Sequence, residues 1–454
     1  MAVTAVAALA GVSAAAGGAH AAGFASAEFG GEHGNVIATN PTALYFNPAG
    51  IAFLEGTTFY GGGVVALRRG SWAHAQAATE LPPPPGAEGA DSGEARFSNL
   101  FGAPALGVAK KLRRFALGAA FYVPFGGRLQ WDKNQRFVGD PNFPQAADGV
   151  QRWTITEGAL TYLHFTVGAA VRLGRFAVGL TGNLIHSSVK LTQAKSANPQ
   201  EDVDPANEYR IRLDVSGIQA SFGVGAMFEA VADRVWLGAS YQAQPGLGAI
   251  ALDGTLTRML DGASAPADAV TYHQALPDIV RLGGRFQASP AFELRLFGDL
   301  TRWSRVQAEC VSTRDQPCAV LPSGEAANQY TIQNLRRSWN DSYGVRAGVS
   351  FWPVTAVELF AGAGYETAAT PDATLDPSLP DAAAVRGALG SRFAIGDGWR
   401  LGVGVTDVHY LARDNTGRSE LANDNVQLPT RRADGGGRYT LWLGLVHLSV
   451  EKQL

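Results

Sequence analysis

The chain has 454 residues, of which 55 are glycine and only 17% are charged, and its mean hydropathy is −0.01. Its formal net charge of −3 includes no basic excess, so the composition gives no support for nucleic-acid binding. After residue 25, no stretch offers the roughly 18 consecutive apolar residues that a membrane-spanning helix needs. The composition therefore excludes a helical membrane protein, and the length fits either about two or three soluble domains or one large barrel.

The N-terminus carries a candidate secretory signal. Its first residues are small and apolar, and they run into Ala19-His20-Ala21, a pattern that signal peptidases cut. We interpret residues 1–21 as a signal peptide, and the alternative is an alanine-rich buried helix. No Lys or Arg stands near Met1, a departure that a start codon placed too far downstream would explain.

Cys310 and Cys318 are the two cysteines, and they lie in a polar segment. In the oxidising environment that a secreted protein meets, they are expected to pair and to staple one loop, although the sequence leaves open whether they are bridged. No histidine cluster stands beside them, so a zinc site is not expected. Neither a metal nor a cofactor is predicted.

Past residue 55, large apolar residues alternate with small or polar ones, as in a β-strand with two unlike faces. Such runs occur at 163–173, 218–228, 292–301 and 342–351. In the last of these the apolar face consists of Tyr343, Val345, Ala347, Val349 and Phe351. Alternation alone is equally expected of a soluble β-sandwich, which buries one face and wets the other. The connections between strands have to distinguish the two folds.

These connections alternate strictly between short and long. Short ones include Leu173 to Arg175 and Ser289-Pro290, and the long ones are 69–96, 131–155, 193–213, 244–276, 304–339, 368–384 and 412–437. Outer-membrane barrels show this asymmetry, with tight periplasmic turns and long external loops on an even number of strands. We therefore predict that residues 56–454 form an all-β fold, a 14-stranded antiparallel transmembrane β-barrel. The strands are expected to start near residues 56, 99, 115, 157, 175, 215, 234, 278, 291, 341, 355, 386, 399 and 438.

Fourteen strands enclose more space than their own side chains occupy, so either something flows through the lumen or a segment plugs it. Residues 22–55 lie between the predicted cleavage site and the first strand, and they show no clear strand periodicity. The segment is too long to be an idle tail. We predict that it folds into the lumen as an N-terminal hatch, or plug.

The hatch segment carries motifs that resemble the FadL/TodX (OMPP1) family of outer-membrane transporters. They are Phe24 just after the cleavage site, the pair Glu28-Phe29, and Asn47-Pro48-Ala49. The resemblance continues in the barrel with Trp303-Ser304 and with the run from Trp339 to Tyr343. It implies that Asn47, Pro48 and Ala49 form the motif of a hatch inside the barrel.

The resemblance also implies a function, a partner and a location. It implies a monomer in the bacterial outer membrane, surrounded by outer-membrane lipid, that takes up long-chain fatty acids or similar hydrophobic molecules by passive, binding-driven diffusion. External loops near 193–213 and 244–276 would capture this ligand first. Which hydrophobic cargo is carried cannot be read from the sequence. The chain ends in Leu454, where such barrels usually end in an aromatic residue, and this departure concerns assembly rather than fold.

The resemblance further implies that cargo leaves sideways, through a gap where the third strand kinks inward. The third predicted strand contains Pro124, Phe125, Gly126 and Gly127. Proline lacks the N–H that strand pairing uses, and glycines permit a bulge, so broken pairing is expected here. The alternative is an ordinary bulge without a role in transport.

Residues that bind a fatty acid should include a cation, because a buried carboxylate without a partner is costly. Arg281 and Arg346, on the polar faces of the eighth and tenth predicted strands, are the candidates. Phe24 and Phe29 in the hatch are candidates for the apolar slot, joined by the leucines of 441–445 if that face of the last strand turns inward. The alternative for both arginines is the polar lumen wall that barrels normally have.

Two other functions were weighed. A porin for small polar solutes would have a similar barrel but no dedicated N-terminal plug. An outer-membrane enzyme would need a nucleophile beside a base, and no recognisable nucleophile motif stands near His164, His186 or His409. No catalytic residue is predicted. His33 and His74 are too far apart in the sequence to suggest a metal site.

Overall fold

The computed structural model describes residues 29–77, 80–196, 208–260, 263–321, 326–420 and 430–454. The predicted signal peptide 1–21, as well as Phe24 and Glu28, lies outside the described residues. Within the described residues, no helix is both long enough and apolar enough to cross a membrane.

Almost all of the regular structure is β-strand. The strands are β1 (Thr57–His74), β2 (Gly93–Leu112), β3 (Phe115–Gln130), β4 (Glu157–Leu173), β5 (Phe176–Ser196), β6 (Glu208–Val231), β7 (Val235–Gln242), β8 (Ala249–Leu260), β9 (Ala263–Ser264), β10 (Asp268–Ala275), β11 (Ile279–Ser289), β12 (Phe292–Thr301), β13 (Ala308–Thr313), β14 (Thr331–Arg336), β15 (Ser342–Val354), β16 (Val357–Glu366), β17 (Ala384–Ala394), β18 (Trp399–Tyr410), β19 (Arg413–Asp414) and β20 (Arg438–Gln453). The helices are α1 (Ala43–Phe46) and the 3-10 turns Gly31–His33, Pro48–Phe53, Pro144–Asp148, Val150–Trp153, Pro245–Leu247 and Trp303–Arg305.

Fourteen of these strands form one closed antiparallel barrel. Each of β1 to β6 pairs with the next strand, and β7 pairs with β11, β11 with β12, and β12 with β15. Each of β15 to β17 pairs with the next strand, and β18 pairs with β20. The barrel closes where β20 pairs with β1, from Thr58 opposite Gln453 to Ala73 opposite Arg438. Closure removes the two open edges that a 14-stranded sheet would otherwise expose to lipid, where an unsatisfied backbone group is expensive. The predicted 14-stranded barrel is confirmed.

The wall has an apolar outer face. Val167, Leu296 and Tyr343 are 66%, 59% and 59% exposed, whereas His164 and Arg295, which lie three and one residues from the first two, are buried inside. The period-2 alternation of the sequence thus places large apolar side chains toward lipid and polar ones toward the lumen, as in membrane barrels. In β20 the leucines of 441–445 face inward, which resolves the register that the sequence left open.

The connections at one end are tight turns, for example between β2 and β3 and between β4 and β5. The first strand begins and the last strand ends on this side, since Thr57 and Leu454 exchange backbone hydrogen bonds. At the other end two predicted loops were too long, because β2 starts at Gly93 instead of near 99 and β6 at Glu208 instead of near 215. These strands continue past the apolar band, where the outward side chains are polar and only the inward face is apolar, as with Ile211 and Leu213 in β6.

Two segments predicted as loops, 244–276 and 304–339, contain strands of their own. Pairings β6–β8, β8–β10, β10–β13 and β13–β14 extend the wall into an additional sheet on the loop side. Cys310 in β13 forms a disulfide with Cys318 in the loop that follows. The loop side is therefore an ordered cap over the barrel.

Buried charges join the cap across the barrel mouth. Arg152 lies 2.6 Å from Asp91 and 3.0 Å from Glu208, and Arg431 lies 2.9 Å from Glu208. These four residues come from four different loop-side segments, and each of them is at most 3% exposed. Breaking such a network by removing one partner leaves an uncompensated buried charge, so it holds the four segments together.

Residues 29–55 lie inside the lumen. Val36, Ala43, Leu44 and Ile51 are at most 2% exposed and form one core with inward-facing wall residues. Glycines in the wall make room for the segment. A side chain on Gly179 would collide with Pro48, and a Cβ on Gly238 would lie 2.6 Å from the Val36 carbonyl oxygen.

Candidate transport path

The motif at the centre of the hatch is fixed by its asparagine. Asn47 is fully buried, and its side-chain amide donates to the carbonyl oxygens of Val36 (2.8 Å) and Ala226 (2.9 Å). Its side-chain oxygen accepts from the backbone N–H of Ala49 at 3.2 Å and so caps the 3-10 turn that Pro48 begins. One side chain thus joins two parts of the hatch to each other and to β6. Alanine at this position would leave buried carbonyl groups unsatisfied, at about 1–3 kcal/mol each.

A second anchor of the hatch lies on the opposite wall. His33 is 2.8 Å from the carboxylate of Glu358 in β16, and Arg392 in β17 donates to the same carboxylate at 2.7 Å. Burial, together with the positive charge of Arg392, lowers the pKa of His33 to about 3. His33 is therefore neutral at ordinary pH, and its Nε2–H donates to Glu358.

The predicted kink is a bulge in β3. In the pairing of β3 with β4, Tyr122 lies opposite His164 and Phe125 opposite Tyr162, so that Val123 and Pro124 face one residue of β4. Gly126 follows with φ of 152°, and a Cβ there would lie 3.0 Å from the Leu160 carbonyl oxygen. The position favours glycine for both reasons.

Beside the bulge, β2 and β3 separate. They are paired from Leu112 opposite Phe115 to Leu106 opposite Phe121, and beyond this point no ladder pairing joins them. The strands meet again at Asn99, whose side-chain amide donates to the Gln130 carbonyl oxygen and accepts from the Gln130 N–H, both at 3.0 Å. We call the stretch without ladder pairing between these points, residues 100–105 of β2 and 122–129 of β3, the window.

Aromatic side chains of the hatch cover the inner side of the window. The ring of Phe29 stacks on that of Tyr122 with centroids 4.9 Å apart, and the ring of Tyr45 lies 5.1 Å from the same tyrosine. Tyr122 is the last residue before the bulge, and it is 1% exposed. Movement of the hatch would therefore uncover the kink.

A lumen cavity lies between the hatch and the barrel wall. It brings together five of the residues that the sequence singled out. Its lining includes Phe29, Pro124, Phe125, Arg281 and Arg346, and also Leu443 and Leu445 of the last strand. The predicted Asn47, Pro48 and Ala49 are not in its lining, because they lie against the wall at β5 and β6. Gly127 instead lines a second cavity described below.

The two predicted arginines differ in their partners. Arg346 lies 3.4 Å from Asp299, so its charge is already paired. Arg281 lies over the rings of Tyr45 and Phe46, at 4.5 and 5.4 Å, and donates to the Tyr45 carbonyl oxygen at 3.5 Å. Among the described residues, no carboxylate lies within ion-pair distance of Arg281. Arg281 is thus the better placed of the two to receive an anionic group.

An apolar cleft lies above the lumen on the loop side. Its walls are aliphatic residues of β3 to β6, such as Leu129, Leu160 and Ile211, and they face Val311 in β13. Glu309 and Arg337, which are 2.8 Å apart, supply charge at its rim. Parts of both loops predicted to capture ligand contribute to this cleft, since Gln193, Ile211, Leu213 and Tyr272 line it, while residues 197–207 lie outside the described residues.

Sequence reasoning missed three features of this path. Asn99 was not recognised, because its partner Gln130 is 31 residues away and nothing local marks the pair. The walls contributed by β13 and β14 lay in a segment read as loop. The third is Tyr122, which stands directly before the kink motif, and its place beside Pro124 could have suggested a role.

A closed barrel of fourteen antiparallel strands with an apolar outer face, tight turns at one end and a filled lumen is an outer-membrane barrel. The comparison with family models agrees with this class. The chain belongs to the family of outer membrane protein transport proteins (OMPP1/FadL/TodX), whose model matches residues 1–420. The protein is accordingly an outer-membrane protein of a transport family, not of an enzyme family.

Solved structures share this fold. A FadL homologue of Pseudomonas aeruginosa is 18% identical with a TM-score of 0.73, and the match covers 96% of this chain and 98% of that one. The toluene transporter TodX of P. putida is 14% identical (TM-score 0.63, covering 93% and 95%), and the toluene transporter TbuX of Ralstonia pickettii is 14% identical (TM-score 0.60, covering 92% and 95%). Among proteins with curated descriptions, no sequence match was found.

Proposed function

We propose that the protein carries long-chain fatty acids, or hydrophobic molecules of similar size, across the outer membrane by passive diffusion through a series of binding sites. The observation that carries the proposal is the lumen cavity, which is lined by hatch aromatics, a cation and the kinked strand. A general porin would need a continuous polar channel, whereas here the hatch packs against the wall on several sides.

The proposed route has three stages. Cargo first enters the apolar cleft on the loop side, where burial of an acyl chain is favourable by about 0.8 kcal/mol per CH₂ group. It then passes into the lumen cavity beside Phe29 and Arg281. A shift of the hatch uncovers the kink at Pro124, and cargo leaves sideways through the window between β2 and β3.

Lateral exit suits a hydrophobic cargo for a physical reason. A straight path through the lumen would release an acyl chain into water, whereas the window opens in the wall of the barrel, toward lipid. The acyl chain of the cargo then stays in apolar surroundings from the cleft to the membrane. In this proposal the protein acts as a monomer, because the window lies within one barrel.

The test is uptake of radiolabelled oleate by cells that lack their own fatty-acid transporter. Native protein should support uptake, and two variants that obstruct the window should abolish it. The first replaces Gly126 and Gly127 by valine, and the second is Ala103→Trp, which adds bulk at the β2 side of the window without straining β3. Gly182→Val is the matched control, because a Cβ there meets nothing within 4 Å.

All variants are compared at equal amounts of folded protein in the outer membrane. If both window variants transport oleate like the native protein, lateral exit is wrong. If the native protein carries no oleate but admits small sugars, the protein is a porin and the role given to the hatch is wrong.

A further inference from the structure

Three side chains that the transport path does not use meet on the loop side, at the seam where β20 closes on β1. His74 is the last residue of β1, Glu80 follows in the first loop, and Asp434 precedes β20. All three are buried, with 4%, 6% and 8% of their surface exposed. One ligand atom from each lies within 4.8 Å of the others. Residues that are 354 positions apart in the chain thus form one compact cluster.

The imidazole of His74 is held in a defined orientation. Its Nδ1 lies 2.5 Å from the Gly436 carbonyl oxygen, and its Nε2 lies 3.1 Å from both carboxylate oxygens of Glu80. A metal-binding histidine commonly donates its second ring N–H to a backbone carbonyl, which leaves the other nitrogen free to coordinate. In this cluster the other nitrogen is Nε2, which faces the carboxylate of Glu80.

Both carboxylates are also held by the backbone. Glu80 accepts from the N–H groups of Ala77 and Asp434, each at 2.9 Å, and Asp434 accepts from the N–H of Gly436 at 2.6 Å. These bonds fix the carboxylates while leaving lone pairs on their oxygens, since a carboxylate accepts about four hydrogen bonds. The ligand set is preorganised by the loops that carry it.

The charges in the cluster do not balance. Within the described residues, His74 is the ion-pair partner of both carboxylates, and neither carboxylate forms an ion pair with a Lys or Arg. Two carboxylates beside one imidazole give an excess of negative charge, whether or not the imidazole is protonated. Buried charges of one sign are costly unless a counter-charge is present, and a divalent cation supplies it.

We propose that His74, Glu80 and Asp434 bind a divalent first-row transition metal such as Zn²⁺, which ties the first loop of the barrel to the segment before its last strand. One nitrogen and two carboxylate ligands suit Zn²⁺ at distances of about 2.0–2.2 Å, with water in the fourth position. Ligands on one tetrahedral ion lie roughly 3.3 Å apart at such distances, so the three ligand atoms, now within 4.8 Å of one another, have to draw together. Asp434 has to turn for this, since its Oδ1 lies 3.9 Å from His74 Nδ1 and not from Nε2. Asp434, whose side chain is 11% exposed, gives the ion access from outside.

The experiment is calorimetric titration of Zn²⁺ into the full barrel, purified in detergent and stripped with EDTA. The native protein should bind one Zn²⁺. Asp434→Asn keeps the acceptor for the Gly436 N–H but removes the charge, and should weaken binding by more than the roughly 10- to 100-fold that loss of an outer partner causes. His74→Gln should do the same. Glu88→Gln, an exposed acid in the same loop, is the control and should bind like the native protein.

Four results would overturn the proposal. Absence of Zn²⁺ binding, or equal binding by native protein and Asp434→Asn, excludes the site. If Zn²⁺ has no effect but the native barrel loses stability as pH rises, and His74→Gln does not, then a proton on His74 and not a metal holds the cluster. Ca²⁺ binding in place of Zn²⁺ would overturn the assignment to a transition metal. The Zn²⁺ titration does not involve oleate uptake, so the outcome of the titration is independent of the proposed transport.

Discussion

Arg281 is the residue that we expect to distinguish between classes of cargo in the proposed function. Its guanidinium lies over two hatch aromatics in the lumen cavity, and the described residues bring no carboxylate within ion-pair distance of it. A fatty-acid carboxylate in the cavity would supply the missing partner, and hydrogen bonds to charged groups are worth about 1.5–3 kcal/mol. An aromatic hydrocarbon has no such group.

We therefore expect Arg281→Gln to weaken oleate binding by about 10- to 100-fold, which is the equivalent of that energy, and to leave toluene binding nearly unchanged. Binding to the purified barrel, measured by displacement of a fluorescent fatty acid, tests this. Arg346→Gln is the matched control, because Arg346 is already paired with Asp299. Equal losses for oleate and toluene would mean that Arg281 supports the hatch and does not recognise the carboxylate.

His33 makes docking of the hatch depend on pH. Its pKa is about 3 when the hatch is docked, lowered by burial and by Arg392, and about 6.5 when the hatch is released. Between these values the released hatch binds an additional proton, so docking is strongest above pH 6.5 and weakens as pH falls toward 3. A change from pH 7.5 to 5.5 should cost docking about 1.4 kcal/mol.

Hydrogen exchange of residues 29–55, corrected for the intrinsic effect of pH on exchange, measures this loss. His33→Gln can still donate to Glu358 but does not titrate, so its hatch should exchange equally at both pH values. If native protein and His33→Gln show the same response to pH, another group controls docking.

At the scale of elements, the window between β2 and β3 is limited on the loop side by the contact that rejoins the two strands. Pairing of β2 with β3 ends at Leu106 opposite Phe121, and the two hydrogen bonds between Asn99 and Gln130 rejoin the strands. Asn99→Ala removes both bonds and should extend the window toward the loop side. We expect faster exchange of the Gln130 amide, a loss of about 1–2 kcal/mol in stability, and faster uptake of bulky cargo.

Asn134→Ala is the control for this change, because Asn134 also bridges two segments on the loop side but lies away from the window. Exchange by mass spectrometry and uptake of a branched fatty acid provide the measurements. Unaltered exchange at Gln130 would show that the strands are held together by something other than Asn99.

The sequence predicted the elements well where one face of a strand meets lipid. Val345 and Phe351 alternate with smaller residues, and the strand that they mark, β15, starts within one residue of the prediction. Prediction failed for β8, β10, β13 and β14, which lie beyond the membrane and have no lipid-facing side to impose alternation. For the site, the kink motif could be recognised from consecutive residues of the sequence. The hydrogen bonds between Asn99 and Gln130 could not, because the two residues are 31 positions apart.

At the scale of the whole molecule, the barrel combines a rigid outer cap with a hatch held from opposite walls. Arg152 joins loop-side segments through Asp91 and Glu208, and the disulfide of Cys310 fixes the β13 hairpin. The hatch is held through Asn47 on one wall and His33 on the other. Motion that admits cargo is therefore expected in the hatch, not in the cap.

The apolar outer wall makes a prediction about the whole barrel. Leu389 lies in the middle of β17 and is 62% exposed, so its side chain faces lipid. Leu389→Arg should destabilise the folded barrel by about 2–4 kcal/mol, since a lipid-facing arginine near the bilayer midplane costs that much. Leu411→Arg should cost about 0–1 kcal/mol, because Leu411 follows the end of β18 on the loop side.

Folding into lipid vesicles at increasing urea, followed by the shift of the folded band in unheated gels, compares the two variants. Both add the same charge to an exposed leucine, so the difference between them reports the depth of each position in the membrane. Equal destabilisation by Leu389→Arg and Leu411→Arg would mean that the apolar band of the barrel does not match the hydrocarbon core. In that case β17 crosses the membrane at a different height from the one that its exposed side chains indicate.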